Sequence, residues 1–277
     1  MNILENKSQL SILLANIKKK NTKIGLIPTM GGIHKGHISL IEKSKKMGFF
    51  SIVSIFVNPT QFNDVKDFNK YPRNRDADIR ILKKINTDLL FLPSIKDVYP
   101  KAVKSKKTIS NYRNILCDKF RPGHFDVVTS VVSSLFNIVN PDNAFFGEKD
   151  FQQLKLIQNI VKNNNLQILI EACPSIRMLN GMSYSSRYNN FTLFQSNLFD
   201  QSAQKIILLV NKLRENINNE SINIIKKELK KINIKKIDYI EIRNELSLLT
   251  TKENKNARLF IAFYIDDIRI IDNFILY

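Results

Sequence analysis

The sequence predicts an α/β protein: a Rossmann-like, doubly wound parallel sheet over residues 1–175, then a smaller C-terminal α+β domain over residues 176–277. Three observations lead there. Short apolar runs alternate with segments of helical period through the first half, the pattern of strands joined by crossover helices. From about Ile176 two helical segments precede three strand-like runs, the order of a separate α+β unit. Between the first clear strand and its helix lies Gly31-Gly32, and a glycine turn leading into a helix N-terminus suits an anion.

In order, residues 8–20 form an amphipathic helix, with Leu10, Leu13, Leu14 and Ile17 on one stripe and lysines in the last turn, where they suit the helix dipole. Residues 24–27 are a short buried strand, and Ile38, Leu40, Ile41 and Met47 keep helical spacing after the glycines. Residues 49–57, β-branched and aromatic, read as a central strand ending in the loop Asn58-Pro59-Thr60-Gln61-Phe62, at the carboxyl edge where parallel sheets bind ligands. A helix is expected over 73–85, a strand over 88–92, and a solvated loop at the lysine-rich 101–107. Arg121-Pro122-Gly123-His124-Phe125-Asp126 breaks the chain before a buried helix at 127–139, which Asn140-Pro141-Asp142 stops. A strand at 143–146 leads through Gly147 into a helix to Val161, and 167–172 is the next strand. Helices at about 192–218 and 220–231 and strands at 237–242, 258–265 and 268–276 complete the second domain.

The 277 residues are 43% hydrophobic, enough for a real core, and 25% charged. The net charge of +18 would suit a polyanion partner, but the lysines are spread along the chain with abundant Asn and Ile, and the last hundred residues lack the aromatic-basic interleaving of RNA surfaces. We therefore expect no nucleic-acid partner. Cys117 and Cys173 lie in no ligand spacing and are expected as reduced, packed thiols. The N-terminus has no uninterrupted apolar segment and no stretch approaches a membrane span, so a cytoplasmic protein is expected.

His34 and His37, two of the three histidines, fall in the glycine turn and at its helix start, with Gly36 between them. Both rings can project from one side of the helix start and donate hydrogen bonds to phosphate oxygens whose charge grows during transfer. Lys149 and Gln153, four apart, share a helix face, where Lys149 would meet a phosphate and Gln153 a neutral or carboxylate substrate; a surface Lys and a solvated Gln fit equally. Asn180-Gly181 marks a turn, and Ser183, Ser185, Ser186 and Arg187 could wrap phosphates or form an ordinary connection.

Taken together these pieces resemble the pantothenate synthetase (pantoate–β-alanine ligase) family of the nucleotidyltransferase superfamily. The resemblance rests on Pro28-Thr29-Met30-Gly31 with His34 and Gly36-His37, on Val57-Asn58-Pro59-Thr60-Gln61-Phe62, and on Tyr71-Pro72-Arg73. It continues through Arg121-Pro122-Gly123-His124-Phe125, Phe145-Phe146-Gly147-Glu148-Lys149-Asp150 with Gln153, Ser185-Ser186-Arg187, Asp238-Tyr239-Ile240-Glu241 and residues 259–273. His-x-Gly-His alone would fit many adenylyl-transferring enzymes; the ordered set is more specific.

The resemblance implies condensation of pantoate with β-alanine through a pantoyl adenylate, with ATP as co-substrate and Mg²⁺, in a cytoplasmic homodimer. It implies ATP binding by Met30, Gly31, Gly32, Ile33, His34, Lys35, Gly36 and His37, with His37 as proton donor and His34 beside it on the phosphates. Gly147, Glu148, Lys149 and Asp150 would also bind ATP, Lys149 at the phosphates, and Ile176, Tyr184, Ser185, Ser186 and Arg187 would close over the nucleotide. Gln61 would hold pantoate and then β-alanine, and Gln153 pantoate. Asp76 and Asp78 are the candidates near Mg²⁺, with Asp78 assigned to the metal. The chain departs from the family pattern at Gly32, Lys35, Ala77, Asn180 and Tyr188, and Lys35 is expected to face solvent. Adenylyl or cytidylyl transfer to a different acceptor is the main alternative; Gln61 and Gln153, which ATP binding alone does not require, discriminate against it.

Overall fold

The computed structural model describes residues 1–61, 68, 69, 71, 73–99 and 111–277. Phe62, Pro72 and the lysine run at 101–107 lie outside the described residues.

The first half is a six-stranded, all-parallel sheet in the order β1-β4-β3-β2-β5-β6. The strands are β1 (Asn2–Leu4), β2 (Ile24–Thr29), β3 (Phe50–Ile55), β4 (Leu89–Phe91), β5 (Asn143–Gly147) and β6 (Leu169–Cys173). β1 adds an edge strand that sequence periodicity did not reveal; three residues are too few to show alternation. β3 ends at Ile55, short of the apolar run, although Phe56 stays buried and still donates its N–H to the Thr29 carbonyl of β2 at 3.0 Å. Between β2 and β5 the strand order changes direction, and ligands of open parallel sheets bind in that crevice, at the strands' carboxyl ends.

Helices cover both faces: α1 (Lys7–Lys19), α2 (Lys35–Lys46), α3 (Arg75–Lys84), α4 (Ile95–Val98), α5 (Leu116–Phe120), α6 (His124–Val139) and α7 (Phe151–Asn163). α1 buries Leu10, Leu14 and Ile17, the predicted stripe. α6 begins three residues earlier than expected, because Gly123 takes a left-handed φ of 79° as its N-cap and so continues the chain into the helix. α2 lies so close to β2 that a Cβ at Gly25 would collide with Ser44 Oγ, which itself bonds Ser51 Oγ at 3.0 Å.

The second unit packs α8 (Leu193–Glu215) and α9 (Asn219–Lys231) on an antiparallel sheet, β7 (Ile237–Asn244), β8 (Ala257–Ile265) and β9 (Ile268–Ile275), in that order. β8 is apolar on both faces for a visible reason. Leu259, Ile261, Phe263 and Ile265 join the core under α8 and α9, whereas Phe260 and Ala262 join the core of the first unit. Phe151 of α7 meets Phe260 with ring centroids 5.8 Å apart. The small sheet is therefore a shared layer between the two halves.

Candidate active site

The site grows from the turn between β2 and α2. Thr29 Oγ1 accepts the Gly31 N–H at 3.1 Å and donates to the Ser54 carbonyl at 2.9 Å, so the strand end is tied before the chain reverses. Gly31 and Gly32 then take left-handed φ values of 80° and 63°. A Cβ at Gly32 would lie 2.7 Å from Ser186 Cβ, so glycine here admits the loop of the second unit. Asp78, on α3 and 4% exposed, accepts the N–H of Gly32 at 2.9 Å and of Ile33 at 2.7 Å, one on each oxygen.

Both Asp78 oxygens thus accept backbone N–H groups of the turn, a structural use beside the metal-ligand role expected of it, and Asp76 is exposed. Among the described residues no three His, Cys, Asp or Glu side chains are grouped to hold a metal. Asp150 is a carboxylate lining the cleft, and Mg²⁺ is commonly held by one or two carboxylates together with substrate phosphates.

His34 caps α2, its Nδ1 accepting the Gly36 N–H at 3.1 Å. In the neutral ring that bond leaves the proton on Nε2, which is free to donate. The His37 ring stacks on it with centroids 4.1 Å apart, and His37 Nδ1 is enclosed without a hydrogen-bond partner. Burial, then the neighbouring His37 and Lys149, pushes His34 down to about 2. Burial likewise lowers His37 to about 4, with Asp150 opposing and Lys149 adding to the shift. Both imidazoles are neutral at pH 7 in the free protein.

One cleft of about 290 Å³ brings the other elements to these rings. Met30, Gly36, Gln61, Gly147, Lys149, Asp150 and Gln153 line it from the first unit. Ile176, Tyr184, Ser185, Ser186 and Arg187 also line it, with Tyr184 and Ser186 beside the histidine turn. The segment expected as one continuous helix from Gly147 is instead a 3₁₀ turn, Glu148–Asp150, followed by α7, and Lys149 on the turn stands 3.8 Å from Asp150. Val128, Val131, Val132 and Leu135 of α6 give the Gln61 end an apolar floor. Ile33, Lys35 and Glu148 do not line the cleft: Ile33 is core, Lys35 is exposed over the Tyr184 ring at 5.6 Å, and Glu148 pairs with Arg258 at 3.3 Å. Gly31 and Gly32 act beneath the cleft through their backbone.

Arg121 and His124, for which the sequence motif implies no role, both act on Gln61. His124 Nδ1 meets the Gln61 carbonyl at 2.9 Å and its Nε2 meets Arg121 Nη1 at 2.9 Å. A carbonyl only accepts and a guanidinium only donates, so the proton sits on Nδ1 and the ring is neutral. Burial, then the Arg121 charge, lowers His124 to about 3. Arg121 Nη2 donates to the same carbonyl at 3.0 Å, so two side chains position Gln61. Tyr71, whose hydroxyl lies 3.2 Å from Ser186 Oγ, and Arg269 also line the cleft. The only early signal for Arg121 and His124 was the compact Arg-Pro-Gly-His motif ahead of an apolar helix.

Comparison with known proteins agrees over the full chain. The family model described as pantoate-beta-alanine ligase matches residues 2–275. A pantothenate synthetase of Sulfurihydrogenibium sp. is 39% identical over 279 residues, 99% of either chain. Among solved structures, the pantoate-beta-alanine ligase of Francisella tularensis, complexed with beta-gamma ATP and beta-alanine, is 36% identical, with a TM-score of 0.86 over 100% of this chain and 98% of that one. Pantothenate synthetase from Thermus thermophilus is 27% identical and superposes with a TM-score of 0.90 over 100% of both chains.

Two predictions follow from the geometry. Asp78→Ala strands the buried Ile33 N–H and the partly buried Gly32 N–H and should lower the metal-free unfolding free energy by roughly 1.5–3 kcal/mol in urea titrations. A variant as stable as wild type that merely needs more Mg²⁺ would return Asp78 to the metal. The second prediction concerns pH. All three histidines are depressed from 6.5, to about 2, about 4 and about 3, so the unfolded chain binds more protons just below pH 6.5. Their contribution is complete above pH 6.5 and is lost as pH falls toward the folded values, so the urea midpoint should drop between pH 7 and 5, mostly before carboxylates titrate. A flat midpoint over that window contradicts the buried neutral rings.

Proposed function

The chain belongs to the pantoate–β-alanine ligase family, and on that premise we propose that its cleft joins pantoate to β-alanine in two steps, through a pantoyl adenylate. The observation that supports this best is the meeting in one cleft of a paired-histidine helix start, Lys149 and the two amides Gln61 and Gln153. The helix start with its two histidines and Lys149 suit a triphosphate. The amides, set over an apolar floor of valines and Leu135, suit a small acid with hydroxyls and a branched carbon skeleton.

In the first step a carboxylate oxygen of pantoate bonds to the α-phosphorus of ATP while the bond to the β-phosphate oxygen breaks, releasing pyrophosphate. Negative charge accumulates on the phosphate oxygens. The α2 N-terminus, the Nε2–H of His34 and the Lys149 ammonium stabilise it as preorganised donors. His37, neutral before ATP arrives, acts with them by hydrogen bonding and becomes the proton donor as the triphosphate raises its basicity. In the second step the β-alanine amine, as the free base, attacks the acyl carbon, the bond from that carbon to the phosphate oxygen breaks to release AMP, and the nitrogen gives up one proton to water as the amide forms. Gln61, fixed by Arg121 and His124, holds pantoate and then β-alanine; Gln153 holds pantoate.

Mg²⁺ is part of the proposal; Asp150 and the triphosphate would hold it, and it would neutralise phosphate charge. Residues 176–277 are proposed to serve as a lid domain, with Ile176 and the 184–187 loop against the nucleotide. The homodimer and the cytoplasmic setting belong to the same reading. Among the described residues no helix is long and apolar enough to cross a membrane.

The test is ATP–pyrophosphate exchange without β-alanine, over a panel of small carboxylic acids. We expect exchange with pantoate, and Gln153→Ala should raise the pantoate KM at least about tenfold, the scale of losing one buried hydrogen-bonded contact, with little change for ATP. Exchange with another acid alone would move the function to a different ligase, and equal weakening of both substrates would remove Gln153 from the pantoate subsite.

A further inference from the structure

β9 of the second sheet carries two adjacent buried polar residues, Asp272 and Asn273, 3% and 2% exposed. Their polar atoms go to two segments that both line the cleft, the turn carrying Lys149 and the chain entering the 184–187 loop. Asn273 Nδ2 donates to the carbonyl of Glu148 at 2.8 Å and of Lys149 at 2.9 Å, gripping the turn that carries the Lys149 ammonium. Its Oδ1 accepts from Arg258 Nη1 at 2.6 Å, and because a guanidinium only donates, that bond fixes which way the amide faces. Arg258, 4% exposed, is itself anchored by Glu245 at 2.9 Å and Glu148 at 3.3 Å.

Asp272 holds the other side. Its Oδ2 accepts the Ser183 N–H at 2.7 Å and Arg177 Nη1 at 3.2 Å. Its Oδ1 accepts Ser183 Oγ at 2.6 Å and the Asn273 N–H at 2.8 Å. Ser183 is the residue before the 184–187 loop, and Arg177 Nη2 closes the circuit on the Asn273 carbonyl at 2.7 Å. Successive residues of a strand point to opposite faces, so one dipeptide can reach both segments while its backbone stays in one ladder.

We infer that Asp272 and Asn273 are positioning residues that set the register between the Lys149 turn and the 184–187 loop, so that the second unit aligns the anion-binding groups as well as covering them. Neither touches the reacting atoms. The inference deepens the adenylation reading and rests on it for its activity readout. A misplacement of about 1 Å in a phosphate-binding group can cost on the order of 10²-fold in rate, which is the scale expected here.

The decisive experiment is a double-mutant cycle of Asn273→Ala with Lys149→Ala, read as kcat/KM for ATP in pantoate-dependent pyrophosphate exchange, with urea midpoints measured in parallel. Asn273→Ala alone should lower kcat/KM by roughly 10–100-fold. In the Lys149→Ala background it should lower it by less than about threefold, because it acts through a lysine no longer present. The same cycle of Asp272→Asn with Arg187→Ala should show the same convergence. Equal factors in both backgrounds, or full activity in folded Asn273→Ala, would overturn the inference. If Asn273→Ala does not fold, Asn273→Ser, which keeps one donor, replaces it in the cycle and must show the same convergence. Should wild type bind ATP yet show no exchange with pantoate, the adenylation reading fails by itself; the cycle is then run on ATP dissociation constants and decides the positioning.

Discussion

Asp78 disposes of two backbone N–H groups that the chain cannot satisfy locally, and the site depends on that. Reversal from β2 into α2 needs consecutive left-handed residues, which expose the Gly32 and Ile33 amides to a buried environment. Without that acceptor the pair would cost on the order of 1.5–3 kcal/mol and the turn would loosen. With Asp78 supplying both, the turn is rigid, His34 can cap α2, and the His37 ring can stack on it at 4.1 Å. The donors aimed into the cleft are therefore set before any ligand arrives, which is what electrostatic preorganisation requires.

The second consequence is that the site belongs to both halves of the chain. Gly32 has no side chain where Ser186 approaches, Tyr71 meets the same serine at 3.2 Å, and Asn273 reaches across to the Lys149 turn. Behind these polar contacts the small sheet shares Phe260 and Ala262 with the core of the first unit. Apolar burial supplies the adhesion between the halves and the hydrogen bonds supply its register. A non-directional attraction could not by itself align Lys149 with Arg187.

Much of this was legible from residue order. The parallel sheet followed from alternating periods, and the histidine turn from Gly31-Gly32 next to two of three histidines. Gln61 and Gln153 were assigned to substrate through the family resemblance, and both line the cleft. What escaped was nearly always a long-range polar contact. Asp78 lies 46 residues from Gly32, and its acidic neighbour Asp76 made a metal cluster the natural guess; only the fold shows that both oxygens face backbone donors. His124 bonds a carbonyl 63 residues away, and Asn273 one 124 residues away, distances at which no periodicity leaves a trace. Helix starts escaped for a local reason, since Gly123 reads as a break in sequence but serves as a left-handed cap.

The central claim is that this cleft transfers an adenylyl group to a carboxylate. Single-turnover reaction with pantoate labelled by ¹⁸O in both carboxylate oxygens, in the presence of ATP and β-alanine, tests it most directly through the mass of the AMP formed. Attack by the carboxylate on the α-phosphorus predicts one labelled oxygen in AMP and one retained in the amide product. Amide product formed with ADP and labelled orthophosphate, or with unlabelled AMP and labelled pyrophosphate, would contradict the account, because the carboxylate would then have been activated at a different phosphorus.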